Sequence, residues 1–334
     1  MTSEAPTARR LFVTGGSGFI GSALVREMRS AAGWAVLNYD TAGPTDRALA
    51  GDWIRGDVLD LVDLRRAFAD FRPTDVVHLA ARVDVDGKTV ADYAVNTEGT
   101  ANVIRCVVES STERVIVAST QFVCRPGYVP GADDDYRPHT AYGESKAEAE
   151  RLVRAADVEA AWTIIRPTTI WGPGDLRYRS QFYRVMARGL YVHPSGRPAM
   201  RSYGYVGNVV DQIRAILESD AGRVRARTLY VGDPVAPITD FVEEFARQLG
   251  RQVRTVPRGL VRSLAVLGDV VTAARLPFPI TTGRFRSMVE DYPVPIDPTF
   301  EITGAPRFTL EMAVSETVGW LREAGFFDAV APAD

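Results

Sequence analysis

Thr14-Gly15-Gly16-Ser17-Gly18-Phe19-Ile20-Gly21 is the stretch that decides the fold. A short apolar run, Leu11-Phe12-Val13-Thr14, enters it, and a helical pattern, Phe19 to Ala31, leaves it. Glycines 16, 18 and 21 satisfy G-x-G-x-x-G, and glycines 15, 18 and 21 satisfy G-x-x-G-x-x-G. The first glycines permit a tight turn, Gly18 lets the backbone come close to a pyrophosphate, and Gly21 lets the helix lie near the strand. Phe19 and Ile20 open that helix, whose free N–H groups would face the anion. Asp40 ends the next strand, Ala35 to Tyr39, where a carboxylate can accept from both ribose hydroxyls of a dinucleotide. A 2′-phosphate there would meet like charge, and Thr41-Ala42-Gly43 supplies no arginine to receive it. The pattern therefore favours NAD over NADP, with Arg47 the nearest residue in favour of NADP.

Outward from this loop, β-branched runs alternate with helical stretches. Asp75 to Leu79, Arg114 to Ala118 and Trp162 to Arg166 read as strands; Val90 to Ser110 and Tyr142 to Ala156 read as helices. Continuous apolar strands separated by helices predict an α/β fold, a doubly wound parallel (Rossmann) sheet covered on both faces. After Pro167 the alternation breaks, and Gly and Pro thicken around Trp171-Gly172-Pro173-Gly174 and Pro194 to Pro198. That change predicts a smaller interleaved C-terminal lobe at the carboxyl ends of the strands, where open α/β sheets bind ligands. Residues 8–167, with about 206–249, are expected to form the NAD-binding domain. The strand Thr228 to Val231 and helix Ile238 to Leu249 are read as returning to its sheet. About 168–205 and 250–330 are expected to form the substrate lobe.

The 334 residues suit two domains, and 46% hydrophobic with 24% charged residues excludes a disordered chain. Lys plus Arg is 39 against 42 Asp plus Glu, a net charge of −3, which gives no bulk-charge case for binding nucleic acid. Two cysteines, Cys106 and Cys124, read as reduced buried thiols of a cytoplasmic protein. Met1 to Arg10 holds no apolar run, so no secretory signal is expected. Gly259 to Phe278 is apolar but interrupted by Arg262, Asp269 and Arg275, so no membrane span is expected. It is read as a helix buried in the fold or lying over a substrate. Asp133-Asp134-Asp135 reads as a solvated loop, and no metal site is expected.

Tyr142 and Lys146 stand at i and i+4, on one face of a helix. A phenol with a pKa near 10 is a poor base at neutral pH. An adjacent ammonium, joined by the positive ring of an oxidised nicotinamide, favours the phenolate. Val115-Ile116-Val117-Ala118 runs into Ser119-Thr120, placing hydroxyls at a strand end where they can bond a substrate carbonyl or alcohol.

Together with Gly56-Asp57-Val58, His78-Leu79-Ala80-Ala81, Asn96 and Arg166-Pro167, these features fall in a family order. The chain resembles, over nearly its whole length, an extended short-chain dehydrogenase/reductase of the NAD-dependent epimerase/dehydratase group. The resemblance implies Tyr142 as acid/base, Lys146 as its electrostatic partner and nicotinamide-ribose contact, and Thr120 as the catalytic hydroxyl with Ser119 beside it. It implies NAD contacts at Gly15, Gly18, Phe19, Ile20, Gly21, Asp40, Asp57, Val58, Ala80, Ala81, Asn96, Tyr142, Lys146 and Pro167. His78 would pack beneath the cofactor without a catalytic role.

The chemistry the family shares is hydride transfer between a secondary alcohol or ketone and nicotinamide. Sugar 4,6-dehydratases carry Asp and Glu directly after the catalytic Thr, where this chain has Gln121 and Phe122, so dehydration is not expected. Ser119, Thr120, Gln121, Thr169 and Arg201 are the expected substrate contacts, Arg201 resembling the arginine that holds a sugar-nucleotide diphosphate. The arginines Arg177, Arg179, Arg184, Arg188, Arg197, Arg201, Arg284 and Arg286 favour a nucleotide-sugar epimerase. Arg166 to Gly172, Tyr205 to Asn208 and the apolar insert Leu260 to Phe278 are instead similar to the 3β-hydroxysteroid dehydrogenase branch. A sugar ketoreductase, or a protein that binds NAD without catalysis, would also carry these motifs. The resemblance further implies a homodimer through a four-helix bundle, made of the helices after Asn96 and containing Tyr142.

Overall fold

The computed structural model describes residues 9–178, 182–274, 276, 278 and 280–327, apart from the side chain of Arg177. Arg179 of the expected arginine set, and residues 8 and 328–330 of the expected domains, lie outside them. Six strands form in the order read from the sequence with one addition: β1 Arg9–Thr14, β2 Trp34–Asp40, β3 Trp53–Arg55, β4 Asp75–His78, β5 Arg114–Ala118 and β6 Ala161–Pro167. With Arg227–Val231 they make a seven-stranded sheet, in the order Arg227–Val231, β6, β5, β4, β1, β2, β3. Every pairing in it is parallel. Leu11, Phe12, Val13, Val76 and Val77 have no exposed surface, as expected of strands covered on both faces.

Strand order reverses at β1, which pairs with β2 on one side and β4 on the other. Thr14 lies opposite His78 there, so the carboxyl ends of β1 and β4 open the crevice at which doubly wound sheets bind ligands. The covering helices include α1 Phe19–Ser30, α2 Leu61–Phe71, α3 Ala94–Val108 and α4 Ala141–Ala155. Strand β3 and helix α2 carry no expectation from the sequence; β3 spans only three residues, two of them exposed.

The chain divides into two interleaved compact units. One holds residues 1–168, 208–232 and 295–305, and the other 169–207, 233–294 and 306–334. The helix Ile238–Gln248, read from sequence as returning to the main sheet, belongs to the second unit. Ala236–Pro237, just before it, pairs antiparallel with Met200–Arg201 and so starts the helix inside that unit. Phe241 and Phe245 then pack on Trp171 at centroid separations of 5.0 and 5.5 Å, and Phe241 stacks on Tyr203 at 4.5 Å. Residues 295–305 return to the first unit, where Thr299 Oγ1 donates to the Tyr230 carbonyl at 2.6 Å.

Among the described residues of the first unit, one ion pair is fully buried. Arg166 donates from Nε and Nη2 to the two oxygens of Glu150, each at 2.8 Å, and from Nη1 to the Tyr230 hydroxyl at 3.2 Å. Both side chains are 1% exposed, so removing one charge strands the other in the core. Glu150→Gln is expected to destabilise the protein by about 3–5 kcal/mol in urea unfolding. A loss at the level of a surface substitution, about 0.5 kcal/mol, would contradict that reading.

Candidate active site

The glycine loop is shaped by what surrounds it. Gly15 has φ +72°, and a Cβ on it would stand 2.5 Å from the Ala80 nitrogen. A Cβ on Gly21 would stand 2.1 Å from the Gly15 carbonyl oxygen, which fixes how closely α1 lies on the turn. Gly18 differs, since a Cβ there would meet only Gly15 O, at 3.2 Å. Gly18 is the exposed N-cap of α1 and brings no side-chain cap to the first N–H groups of Phe19 and Ile20. Those residues fit a dinucleotide pyrophosphate: open space over an uncapped helix N-terminus with no acid in its first turn.

Asp40 holds the loop as well as facing its rim. Its Oδ2 accepts from Ser17 N and its Oδ1 from Ala42 N, both at 3.0 Å. Each oxygen keeps a lone pair for a ribose hydroxyl, so the carboxylate is oriented without being used up. Asn38 is buried and donates to Ser17 Oγ at 3.0 Å, a second tie on the same loop. Asp57 is exposed and caps its own turn through Leu59 N, at 2.9 Å. Val58 is buried, and a Cβ at Gly99 of α3 would lie 2.7 Å from its Cγ2.

Beneath the loop runs a chain of buried polar groups. Thr100 Oγ1 donates to the Asn96 carbonyl at 2.7 Å, so it must accept from His78 Nε2 at 3.0 Å. His78 Nδ1 is then the acceptor for the Thr14 hydroxyl at 2.7 Å. Ala80 N donates to the same Thr14 oxygen at 3.3 Å. Burial pushes the His78 imidazole down to about 3, with the positive charge of Lys146 adding to it. The ring is a neutral strut, in keeping with the packing role expected from the sequence. Asn96, fully buried, accepts from Arg82 N at 2.9 Å and donates to Arg82 O and Ser145 Oγ, each at 3.0 Å. It holds Ala80-Ala81-Arg82 against α3 and joins α3 to α4.

Helix α4 meets the segment that leaves β5 through Ser119 and Thr120: Lys146 reaches the Ala118 carbonyl and the Tyr142 ring lies 6.0 Å from that of Phe122. Thr140 caps α4, accepting from Gly143 N at 3.0 Å, which sets Tyr142 in its first turn. Lys146 is 2% exposed and donates to the Ala118 carbonyl, the last of β5, at 2.9 Å. Burial pulls its ammonium down to about 8, opposed by the Glu150 carboxylate, so at neutral pH it keeps its charge. Tyr142 is 7% exposed, its ring 6.0 Å edge-on from Phe122 and 5.9 Å from Tyr93. Thr120 Oγ1 accepts from Phe122 N at 3.3 Å and keeps its proton to donate. Ser119 Oγ is buried with no hydrogen-bond partner among the described residues. Gln121 is buried in the same turn, and Pro167 is buried at the end of β6.

Thr169 and Arg201 lie in the second unit, where Thr169–Trp171 pairs with Tyr203–Tyr205. Arg201 is 9% exposed and donates from Nη1 to the carbonyls of Ser287 and Glu290, at 2.9 and 3.3 Å. It also lines a cavity of about 330 Å³ with Trp171, Tyr203, Phe241 and Phe308.

Sequence reasoning passed over Gly143, where a Cβ would lie 2.3 Å from the Phe122 carbonyl oxygen. It also passed over Tyr93, whose hydroxyl donates to Asp84 O at 2.9 Å while its ring backs Tyr142. A glycine directly after the tyrosine was the available signal for the first; nothing in the local sequence marks the second.

A profile of the NAD dependent epimerase/dehydratase family matches residues 11–232. The chain is 27% identical over 340 residues to the UDP-glucose 4-epimerase of Vibrio cholerae, covering 96% of this chain and 92% of that protein. It is 31% identical over 259 residues to the 3 beta-hydroxysteroid dehydrogenase/Delta 5→4-isomerase of Mycobacterium tuberculosis, covering 71% and 68%. Among solved structures it is similar to MoeE5 in complex with UDP-glucose and NAD, with a TM-score of 0.68 and 25% identity over 94% of this chain and 99% of that one.

His78 gives this site a measurable signature. Folded, its ring stays neutral down to about pH 3; unfolded, it takes a proton near 6.5. Its contribution to stability is complete above pH 6.5 and is lost as pH falls towards 3, by up to about 1.4 kcal/mol per pH unit. Urea unfolding of His78→Gln between pH 7.5 and 4.5 should show a slope shallower by about one proton than the wild type. Parallel slopes would contradict the neutral strut.

Proposed function

Because the chain belongs to the NAD dependent epimerase/dehydratase family and is an NAD-dependent enzyme, we propose that it epimerises a secondary alcohol of a nucleotide sugar. The observation that carries the proposal is the buried Lys146 bonded to the Ala118 carbonyl, directly before Ser119 and Thr120, with Tyr142 one helical turn earlier and its ring 6.0 Å from Phe122. Bound NAD would supply the hydride acceptor and, on the return step, the donor. Tyr142 takes the hydroxyl proton as the C–H hydride leaves, turning the alcohol into a ketone. Lys146, still charged at neutral pH, favours the phenolate that this step needs. Thr120 offers its proton to the reacting oxygen, with the unpartnered Ser119 hydroxyl beside it. Return of hydride to the opposite face of the ketone inverts the carbon, and Tyr142 returns the proton. Gln121 and Phe122 provide no carboxylate to eliminate water.

Loop contacts at Gly15, Gly18, Phe19, Ile20 and Gly21, and a ribose contact at Asp40, belong to this reading, with the adenine over Asp57 and Val58. Ala80 and Ala81 would border the phosphates, the Asn96 amide would support the pocket from behind through Arg82 and Ser145, and Pro167 completes the proposed cofactor contacts. Thr169, Gln121 and Arg201 are the substrate contacts proposed. Arg201 already gives one nitrogen to two backbone carbonyls, so it would grip a diphosphate only with the remainder of its guanidinium. The nucleotide-sugar assignment is supported by the Vibrio cholerae relative and by UDP-glucose in the MoeE5 complex. The competing reading, oxidation of a 3β-hydroxysteroid, draws on the Mycobacterium tuberculosis relative and the apolar helix after Pro257.

A cytoplasmic enzyme is part of the same proposal, in keeping with two free, buried cysteines. So is a homodimer through α3 and α4. Ala147, Ala149 and Val153 are buried within a single chain, which leaves Glu148, Arg151, Leu152 and Ala155 for such a contact.

Purified protein with NAD and a panel of UDP-, GDP-, CDP- and dTDP-sugars should yield the epimer of one of them. Tyr142→Phe should keep NAD binding and lose activity by about 10²–10⁴-fold. Turnover of 3β-hydroxysteroids with none of any sugar nucleotide would overturn the substrate class. Full activity of Tyr142→Phe would overturn the acid/base role.

A further inference from the structure

Helix Arg258–Ala273 of the second unit has two unlike faces. Val261 and Ala265 are buried with Phe285, backed by Val256, Ile280 and Val289. Gly268 is buried on the same side, where a Cβ would stand 1.8 Å from the Ile280 carbonyl oxygen. On the other side Leu260, Val266, Leu267 and Val270 are 54%, 54%, 52% and 65% exposed. At 100° per residue these four fall within an arc of about 120°, interrupted by Ser263 and Gly259. The sequence predicts a helix buried in the fold or lying over a substrate; one apolar face is buried, and these four residues lie exposed on the other.

Charge says what this face suits. From Arg251 to Val289 the chain carries seven arginines and one acid, in a protein of net charge −3. The acid, Asp269, is turned to its own neighbour, accepting from Thr282 N at 3.0 Å and Thr282 Oγ1 at 2.6 Å. Arg258 and Arg262 are exposed on the helix itself, and Arg251 and Arg254 on the segment leading into it.

We propose that this helix docks the enzyme on an anionic phospholipid bilayer, lying in the plane of the interface. Its apolar arc would enter the acyl boundary while the arginines reach lipid phosphates. Sixteen residues make a helix of about 24 Å, short of a bilayer span, and no described helix is long and apolar enough to cross one. A second copy of the chain would bring the same arginines, with Asp269 already bonded to Thr282 and Glu290 already beside Arg286, so Arg258 and Arg262 would meet like charge rather than a free acid. The proposal is independent of which substrate the active site takes.

Flotation of the full-length protein with vesicles tests it. Wild type should float with phosphatidylcholine vesicles containing phosphatidylglycerol, more weakly with phosphatidylcholine alone, and less as salt rises. Arg258→Gln and Arg262→Gln should each weaken partitioning roughly fivefold. A Leu267→Ser, Val270→Ser double variant should stay behind while keeping its melting temperature and NAD binding. Equal flotation of variant and wild type, or none by either, would overturn the proposal. Sedimentation that finds a wild-type dimer dissociated by the double variant would instead make this a self-association face. A KM for substrate raised by the double variant without vesicles would make it a substrate cover, and either result rejects the bilayer.

Discussion

The ammonium of Lys146 sits almost wholly inside the protein, bonded to the carbonyl that ends β5. A buried charge is tolerated only where its surroundings compensate it, and here the neighbours are Ala118 O and the field of Glu150. That requirement constrains everything near it. Glu150 must keep its place beneath the lysine, and Arg166 holds it there by a two-pronged bond in the core. Helix α4 must lie close enough for the amine to reach β5, which is why Gly143 has no side chain to hold it off Phe122. Tyr142, one turn before the lysine, is thereby held with its ring 6.0 Å from Phe122, two residues past Thr120.

The same economy serves the cofactor side. Thr14, His78 and Thr100 link the ends of β1 and β4 to α3 by a chain in which every proton has one consistent direction. Asn96 extends the linkage to the loop after β4 and to α4. The glycine turn and the tyrosine helix are therefore parts of one bonded framework, and Asp40 fixes the turn from its far side.

Much of this was legible in the sequence. Strand β5 and the starts and ends of α1 and α4 follow directly from apolar runs, glycines and the i, i+4 spacing, because those signals are local. What was not legible depends on distant contacts. Helix Ile238–Gln248 has an ordinary amphipathic pattern, and only its packing on Trp171 and Tyr203 assigns it to the second unit. Tyr93 supports Tyr142 across a gap of 49 positions that no periodicity reports. Arg201 read as a ligand-binding arginine, yet backbone carbonyls nearly ninety residues away hold part of it. The outward apolar face of Arg258–Ala273 could not be told from a buried one by pattern, since both faces are apolar.

The most direct test of the account is the pH dependence of kcat/KM for Lys146→Met beside the wild type, with Tyr142 intact and NAD saturating. If the buried ammonium is what makes the phenol a usable base, the alkaline rise in rate should move to higher pH in the variant, and activity should recover partly there. An unshifted profile, with rate lowered equally at every pH or not at all, would contradict the claim that this charge governs Tyr142.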